Sequence, residues 1–485
     1  MKTPRQARSS GRSALLSELL DAISARGRAL FRGPEFGALG ARGGAGLIDL
    51  GEQLLSRRGE ASGMALAERL LAEFEAADDA ARLAFLQGLA SHFGADRAAI
   101  EAAIDAWRDA AEPKPLARLQ RATEPRRQEL IRRMNWAPGG TASLIRMREA
   151  LMDACKADPG LAPVDADFVH LFSSWFNRGF LILRPIDWDT PASVLEKLIR
   201  YEAVHAIHGW DDLKSRLGPP DRRCYGFFHP RLPDDPLIFV EVAFTREIPG
   251  HIAPILDTAR EPIAPEEATT AVFYSISNTQ RGLAGVSFGN FLIKQVVEEL
   301  RHEFPGLTTF VTLSPVPRFA QWLDRERKAT EEGLLGPETR AALAALDTPG
   351  WHNDARLVEE IGAPFLAAAS AYFLAARDKS GRVADAIARF HLGNGARLER
   401  LNMLGDSSDK GLEQSYGLMV NYLYDPRLIE RNHEAYAERD EVIASALVRR
   451  ALPAGRAAPR KEKPTASRRR AAAQLVAAAR TGQPQ

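Results

Sequence analysis

The feature that most constrains the fold is a change in hydrophobic periodicity near residue 178. Between residues 47 and 178, apolar residues recur every three or four positions with charges between them, which is typical of amphipathic helices. After Gly179, six short apolar runs rich in β-branched and aromatic residues follow, at 180–183, 224–228, 237–244, 270–276, 307–313 and 418–424. Helical stretches lie between them, and residues 330–380 are predicted to be a helical insertion. The pattern predicts an α+β protein, with an all-helical bundle followed by a mixed β-sheet with flanking helices.

A chain of 485 residues is too long for one compact core, so we expect several domains. Residues 1–46 are predicted to be a flexible N-terminal segment, which ends in a glycine-rich loop at 33–46. Residues 47–178 form the predicted helical domain, which suits packing or assembly. A second domain is predicted at 179–453, and a disordered basic tail at 454–485.

The composition argues against several classes of partner. The net charge is only +1, and residues 456–485 alone carry +7, so the rest of the chain is slightly acidic and no basic face for nucleic acid is indicated. No apolar run approaches the roughly 18–20 residues that span a bilayer, so no membrane partner is expected. Cys155 and Cys224 belong to no CxxC pair, and the histidines lack metal-ligand spacing. We therefore expect a cytoplasmic protein without a metal site.

The segment 273–300 combines a buried strand, a turn with three glycines and an amphipathic helix whose predicted inward residues are Phe291, Leu292, Val296, Val297 and Leu300. Glycines let the backbone approach a ligand closely, and a helix N-terminus offers unpaired N–H groups with partial positive charge. This arrangement predicts a pyrophosphate site, to which Arg281 could add a bidentate contact. The alternative is an ordinary strand–helix turn. Neither a G-x-G-x-x-G nor a P-loop pattern is present, and the closer pattern is the looser [QR]-x-x-G-x-[GA] phosphate loop.

Three further elements carry candidate chemistry. Ser314 ends a strand that exits through two prolines, and either borders a ligand or caps the following helix. His391 precedes a Gly-Asn-Gly turn and either moves protons or is a core histidine. The late strand 417–424 offers phenolic hydroxyls, including that of Tyr424, or uses its tyrosines only for packing.

These four elements, in this order and spacing, resemble the malonyl-CoA decarboxylase family. The resemblance runs from about residue 50 to 450 and is densest at 273–300, 313–323, 390–396 and 417–424. It implies a helical domain used in homo-oligomerisation and a catalytic domain of the acetyltransferase fold. It further implies decarboxylation of malonyl-CoA to acetyl-CoA and CO₂, with no metal, biotin or flavin.

The resemblance also implies roles for particular residues. Ser314 would orient the malonyl carboxylate, although the family's serine is treated as a proton acceptor, and His391 would protonate the enolate at C2. Tyr424 would line the pocket, with Asn394 as a weaker candidate. The coenzyme A loop falls on Ala284, Gly285, Val286, Ser287, Phe288, Gly289 and Asn290. Ala284 departs from the family, which can carry glutamine there, so backbone amides are expected to bind the phosphates.

Two other functions remain open at this point. An acyl-CoA-dependent N-acyltransferase on the same fold would transfer the acyl group to an amine. A non-catalytic acyl-CoA sensor would bind the thioester and leave it intact.

Overall fold

The computed structural model describes residues 43–56, 59–110, 112–286, 292–329 and 333–453. Most of the predicted flexible N-terminal segment and nearly all of the predicted basic tail lie outside the described residues.

The described residues before Gly179 are almost entirely helical, as predicted. Asp78 and Asp96 cap two of these helices, each with its carboxylate accepting from backbone N–H groups of the first turn. The helices are α1 (Gly44–Leu55), α2 (Glu60–Ala76), α3 (Asp79–Ser91), α4 (Arg97–Asp109), α5 (Pro113–Thr123), α6 (Arg126–Met134), α7 (Gly140–Ala154) and α8 (Ala162–Trp175).

The predicted loop at 33–46 is wrong at its described end, because α1 already begins at Gly44. A Cβ built on Gly44 would lie 2.5 Å from the Cβ of Ala84 on α3. This glycine therefore serves close packing between two helices, although in the sequence it reads as a turn residue.

The second part of the chain is built on an eight-stranded mixed sheet, in the order β1-β2-β3-β4-β5-β8-β6, with β7 also paired to β8. Its strands are β1 (Ile182–Ile186), β2 (Arg222–His229), β3 (Leu232–Thr245), β4 (Thr270–Asn278), β5 (Thr309–Thr312), β6 (Ser314–Pro315), β7 (Arg397–Asn402) and β8 (Met419–Leu423). The α+β class and the mixed sheet are as predicted. Strands β6 and β7 were missed, because one has two residues and the other is mostly charged.

The flanking helices complete the second part. The predicted helical insertion at 330–380 corresponds to α14 and α15, and α16 carries His391. The helices are α9 (Ala192–Tyr201), α10 (Trp210–Leu217), α11 (Ala253–Leu256), α12 (Leu292–Glu303), α13 (Phe319–Lys328), α14 (Pro337–Ala342), α15 (Ala355–Leu374), α16 (Ala386–Gly393), α17 (Asp409–Ser415), α18 (Ile429–Arg439) and α19 (Ala446–Ala451).

One helix among the described residues, α15, has the length and apolar composition of a membrane span. Half of that apolar stretch is buried inside the protein, and the core helices of soluble proteins meet the same criterion. The helix is therefore weak evidence for a membrane.

Strands β4, β5 and β8 are neighbours in the sheet where the chain reaches Ser314. β4 and β5 are parallel neighbours, joined by a crossover that contains α12. β5 and β8 are then joined by a single registered pair, Val311 with Leu423. β8 then continues beside β6, where Ser314 pairs with Val420, so Ser314 extends the sheet beyond the end of β5.

The hydrophobic core continues from the helices into the sheet without a break. Leu144 and Ile145 of α7 belong to the same buried cluster as Leu283 and Phe273 of the second part. The inward face of α12, with Leu292, Val296, Val297 and Leu300, also joins it as predicted. Predicted inward Phe291 lies outside the described residues.

Candidate active site

Ser314 lies on β6, opposite Val420 of β8, and its side chain is buried. Its Oγ donates to Oγ1 of Thr312, 2.9 Å away, and lies 3.2 Å from Nε2 of His391. The helix after the two prolines begins at Phe319, and its N-cap residue is Arg318. The interpretation of Ser314 as a helix cap is therefore wrong.

His391 occupies the last turn of α16. Asp385 caps this helix by accepting from Ala388 N–H at 2.7 Å. The helix ends at a turn in which Gly395 has a φ of 82°, and a Cβ there would lie 2.1 Å from the carbonyl oxygen of Ile429. The Gly-Asn-Gly turn is thus required by backbone geometry, and it holds His391 opposite Ser314.

The imidazole of His391 is held on both ring nitrogens. Nδ1 lies 2.7 Å from the hydroxyl of Tyr424, and Nε2 faces Ser314. Because Ser314 donates its hydroxyl hydrogen to Thr312, its Oγ accepts from Nε2–H, and Tyr424 then donates to Nδ1. This hydrogen-bond network assigns the proton of the neutral imidazole to the nitrogen that faces Ser314.

The surroundings of His391 keep it neutral. Its ring stacks on Tyr422 at 4.4 Å, and complete burial lowers the pKa of the imidazole from its usual 6.5 to about 3. Burial also raises the pKa of the Tyr424 phenol well above its usual value. The side chains that contact Ser314 are therefore uncharged at neutral pH, and they form a preorganised set of donors and acceptors.

A cavity of about 590 Å³ lies at the end of β4. Its walls include Ala284, Gly285 and Val286 of the predicted coenzyme A loop, and Phe390, the residue before His391. The remaining predicted loop residues, Ser287, Phe288, Gly289 and Asn290, lie outside the described residues.

The other predicted site residues are placed as follows. Asn394 is buried at the C-cap of α16, and its Nδ2 donates to the carbonyl of Phe390 at 2.7 Å. Its Oδ1 has no hydrogen-bond partner among the described residues. Arg281 lines the cavity, but its guanidinium forms an ion pair with Asp153 of α7. The guanidinium of Arg281, which was predicted to bind a pyrophosphate, thus binds the carboxylate of Asp153 instead.

Sequence reasoning missed the contributions of two regions. Thr312 positions Ser314 and accepts from the backbone N–H of Tyr422, and nothing in its sequence context sets it apart. Glu149 of α7 lines the cavity, so the helical region reaches the site. A charged residue on an apolar helical face, Arg148 between Leu144 and Leu151, was the available signal.

No group of three or more histidine, cysteine or acidic side chains suited to a metal ion occurs within residues 43–56, 59–110, 112–286, 292–329 and 333–453.

Comparison with known proteins finds relatives over both parts of the chain. A family model of the malonyl-CoA decarboxylase C-terminal domain matches residues 179–462, and one of the N-terminal domain matches residues 93–176. The mitochondrial malonyl-CoA decarboxylase of Rattus norvegicus is 37% identical over 332 residues, 63% of this chain and 67% of that protein. The chain belongs to the malonyl-CoA decarboxylase family.

Solved structures agree with this assignment. The crystal structure of malonyl-CoA decarboxylase from Rhodopseudomonas palustris is 62% identical, with a TM-score of 0.81, and the match covers 84% of this chain and 99% of that one. The structure from Agrobacterium vitis is 55% identical, with a TM-score of 0.80 and the same coverage. The resemblance stated from the motifs is therefore confirmed at the level of the family.

Proposed function

We propose that the protein decarboxylates malonyl-CoA to acetyl-CoA and CO₂, with Ser314 and His391 as its catalytic residues. The observation that carries the proposal is the contact between Ser314 Oγ and His391 Nε2. Phe390, the residue before His391, lines the same cavity as the described residues of the predicted coenzyme A loop. Family membership supports the substrate, and the geometry supports the roles of the two residues.

The chemistry requires one bond to break and one to form. When the C2–carboxylate bond breaks, its electron pair moves into the thioester carbonyl and CO₂ leaves. Ser314 would hold the carboxylate out of the thioester plane, so that the breaking bond overlaps the carbonyl π system. With the malonyl carboxylate bound, His391 would take up a proton from solvent, and the imidazolium would then donate its Nε2 proton to C2 and return to the neutral form.

His391 is neutral before the substrate binds, so it can take up the proton that C2 later receives. A malonyl carboxylate beside the imidazole raises its pKa, because a nearby negative charge favours the protonated form. The electron pair is accepted by the thioester itself, so the proposed route uses no metal, biotin or flavin. Donors aimed at the developing enolate oxygen are typically worth about 3–4 kcal/mol each.

We also propose that the protein is a homo-oligomer assembled through its helical region. Trp107 on α4 and Leu116 on α5 are both exposed, and no residue of α5 is buried. Isolated amphipathic helices of this kind expose an apolar stripe that a second copy can cover. Light scattering of Trp107→Glu beside the wild type tests this, and an unchanged mass would contradict the assigned interface.

The function is tested by incubating purified protein with malonyl-CoA and no acyl acceptor. We expect stoichiometric acetyl-CoA and CO₂, resolved by chromatography and isotope release. Transfer only after an amine is added would instead indicate an N-acyltransferase. Binding with no turnover under either condition would indicate a sensor.

A further inference from the structure

Helix α7 of the helical region contacts the turn that begins the predicted coenzyme A loop. The backbone of Gly282 is held at both of its polar groups. Arg148 Nη1 donates to the carbonyl oxygen of Gly282 at 2.7 Å, and Glu149 Oε1 accepts from its N–H at 3.1 Å. A Cβ on Gly282 would lie 2.2 Å from the carbonyl oxygen of Ile145, so the turn lies directly against the helix.

Arg148 is an unusual choice for this position. It is 2% exposed and lies between Leu144 and Leu151 on the apolar face of α7. Burying a guanidinium is costly unless its donors are satisfied. Asp165 of α8 accepts from Nε at 2.8 Å, and the Gly282 carbonyl accepts from Nη1. One of the contacts that offset the cost of burial therefore belongs to the other part of the molecule.

The same helical region contains a second buried arginine that makes a similar ion pair but does not contact the turn at Gly282. Arg127 of α6 is 8% exposed, and its Nε donates to Asp167, also on α8. Its Nη1 donates to the carbonyl oxygen of Leu89 in α3. Arg127 therefore reproduces the helix-to-helix ion pair of Arg148 without a contact to the loop.

The turn held by α7 shapes the cavity. Arg281, Leu283 and Ala284 lie on either side of Gly282, and all three line the cavity, as does Glu149 itself. Asp153, one turn further along α7, holds the Arg281 guanidinium with a 2.9 Å contact. The position of the helix thus determines where the amides at the start of the loop point.

We propose that Arg148 and Glu149 are positioning residues for acyl-CoA binding, which makes α7 of the helical region part of the substrate site. The proposal rests on the proposed function only for the identity of the ligand as a coenzyme A thioester. Neither residue contacts Ser314 or His391 among the described contacts, so we expect its loss to displace the turn at Gly282 and to leave the reacting groups in place.

The test compares Arg148→Met and Glu149→Met with Arg127→Met in the full-length protein. Calorimetry with coenzyme A measures Kd, malonyl-CoA turnover gives KM and kcat, and thermal unfolding gives Tm. We expect both α7 variants to raise Kd and KM about tenfold, the value of one good hydrogen bond, with kcat within about twofold of wild type. Arg127→Met should lower Tm as much as Arg148→Met and leave Kd unchanged.

A conservative variant separates positioning from general stability. Glu149→Gln keeps an oxygen that accepts from Gly282 N–H, so its Kd should stay within about twofold of wild type. Glu149 is only partly buried, so its variants keep the proposal testable if Arg148→Met does not fold. Unchanged Kd values in Glu149→Met, or an equal rise in Arg127→Met, would overturn the proposal.

The outcome is distinguishable from a failure of the proposed function. If the wild type binds coenzyme A without decarboxylating malonyl-CoA, the function fails while the Kd comparison still decides the role of α7. If turnover is normal and the Kd values do not differ, the inference alone fails.

Discussion

The two faces of the sheet hold buried polar clusters of opposite character. On one face, Thr312, Ser314, His391 and Tyr424 form a neutral cluster, joined by hydrogen bonds of 2.7–3.2 Å. On the other face lies an ionic cluster of Glu202, Arg216 and Glu241. Because neighbouring Val240 and Val242 pack in the core that contains Tyr424, Glu241 points the opposite way.

Most polar atoms of the ionic cluster have fixed partners, although Glu241 Oε1 is buried without a hydrogen-bond partner among the described residues. Arg216 donates to Asp212 at 2.9 Å, to Glu241 at 3.2 Å and to two backbone carbonyl oxygens. The Glu202 carboxylate accepts from Ser275, Ser277 and two backbone N–H groups. Burial still outweighs the effect of Arg216 and raises the pKa of Glu241 to about 8.

The contrast indicates different roles for the two clusters, the neutral one in the reaction and the ionic one in holding the fold. A buried charge must keep its partner, so the ionic cluster has one acceptable arrangement and fixes α10 against β2 and β3. The neutral cluster can exchange partners at small cost when a substrate carboxylate arrives. We infer that proton transfer belongs to the face without charges, and the following predictions test that assignment.

The largest effect is expected from the catalytic pair. Ser314→Ala and His391→Gln should each lower kcat for malonyl-CoA about 10³-fold, because positioned proton transfer typically contributes 10²–10⁴-fold. Coenzyme A affinity should change less than about threefold, since neither side chain belongs to the cavity wall. Steady-state kinetics and calorimetry measure the two quantities, and a loss of affinity as large as the loss of turnover would contradict the assignment.

A substitution in the ionic cluster should lower the stability of the protein and leave the turnover of the folded molecules nearly unchanged. Arg216→Met leaves Asp212 without its cation, and leaves Glu241 and two backbone carbonyl oxygens without their donor. Breaking a buried pair in this way costs about 3–5 kcal/mol. We expect a large fall in Tm, with kcat per folded molecule within about twofold of wild type. A folded Arg216→Met protein with a hundredfold lower kcat would show that this cluster takes part in catalysis.

The two clusters should also limit stability at opposite ends of the pH range. The pKa of His391 falls from 6.5 to about 3 on folding, so below pH 6.5 the unfolded chain binds a proton that the folded one does not. Stability is therefore lost as pH falls from 6.5 toward 3, by about 2 kcal/mol at pH 5 for this group. Glu241 acts in the opposite sense, because its raised pKa costs stability as pH rises from 4.5 to 8.

Thermal unfolding at several pH values separates these contributions. His391→Gln should lose less Tm than wild type between pH 7 and pH 5. Glu241→Gln should lose less between pH 6 and pH 8.5, since glutamine mimics the protonated acid. Parallel Tm curves for all three proteins would mean that neither group titrates as its burial requires.

Much of this architecture was accessible from the sequence. Periodicity predicted the helices before Gly179 and six of the strands, and the family resemblance predicted that Ser314, His391 and Tyr424 belong to one site. These three lie up to 110 positions apart, and the structure brings them into hydrogen-bond contact. The resemblance carried that step, because local patterns alone left each residue with an ordinary structural explanation.

What the sequence did not predict depends on packing between distant segments. Gly44 reads as a loop residue and serves a helix crossing, and β7 has the composition of a charged helix. The ionic pair Arg216–Glu241 joins two elements with no shared motif. The contact of Arg148 with Gly282 spans 134 positions, and its only local sign is a charge on an apolar face.

The smallest predicted effect concerns the tyrosine hydroxyl within the neutral cluster. Tyr424→Phe removes the hydroxyl that lies 2.7 Å from His391 Nδ1 and leaves the ring in the core. The imidazole is then free to place its proton on either nitrogen, so we expect kcat to fall about tenfold with KM within about twofold, as for loss of one hydrogen bond. Nitrogen NMR of labelled histidine should show the tautomer shift directly.

Tyr422→Phe is the matched control for Tyr424→Phe. Tyr422 stacks on the same imidazole at 4.4 Å, and its hydroxyl makes no described hydrogen bond to His391, so this change should preserve both kcat and the histidine spectrum. An equal loss of turnover in the two variants would assign the effect to packing. A loss confined to Tyr424→Phe, with the tautomer shift, would show that an uncharged phenol keeps the proton on the nitrogen that faces Ser314.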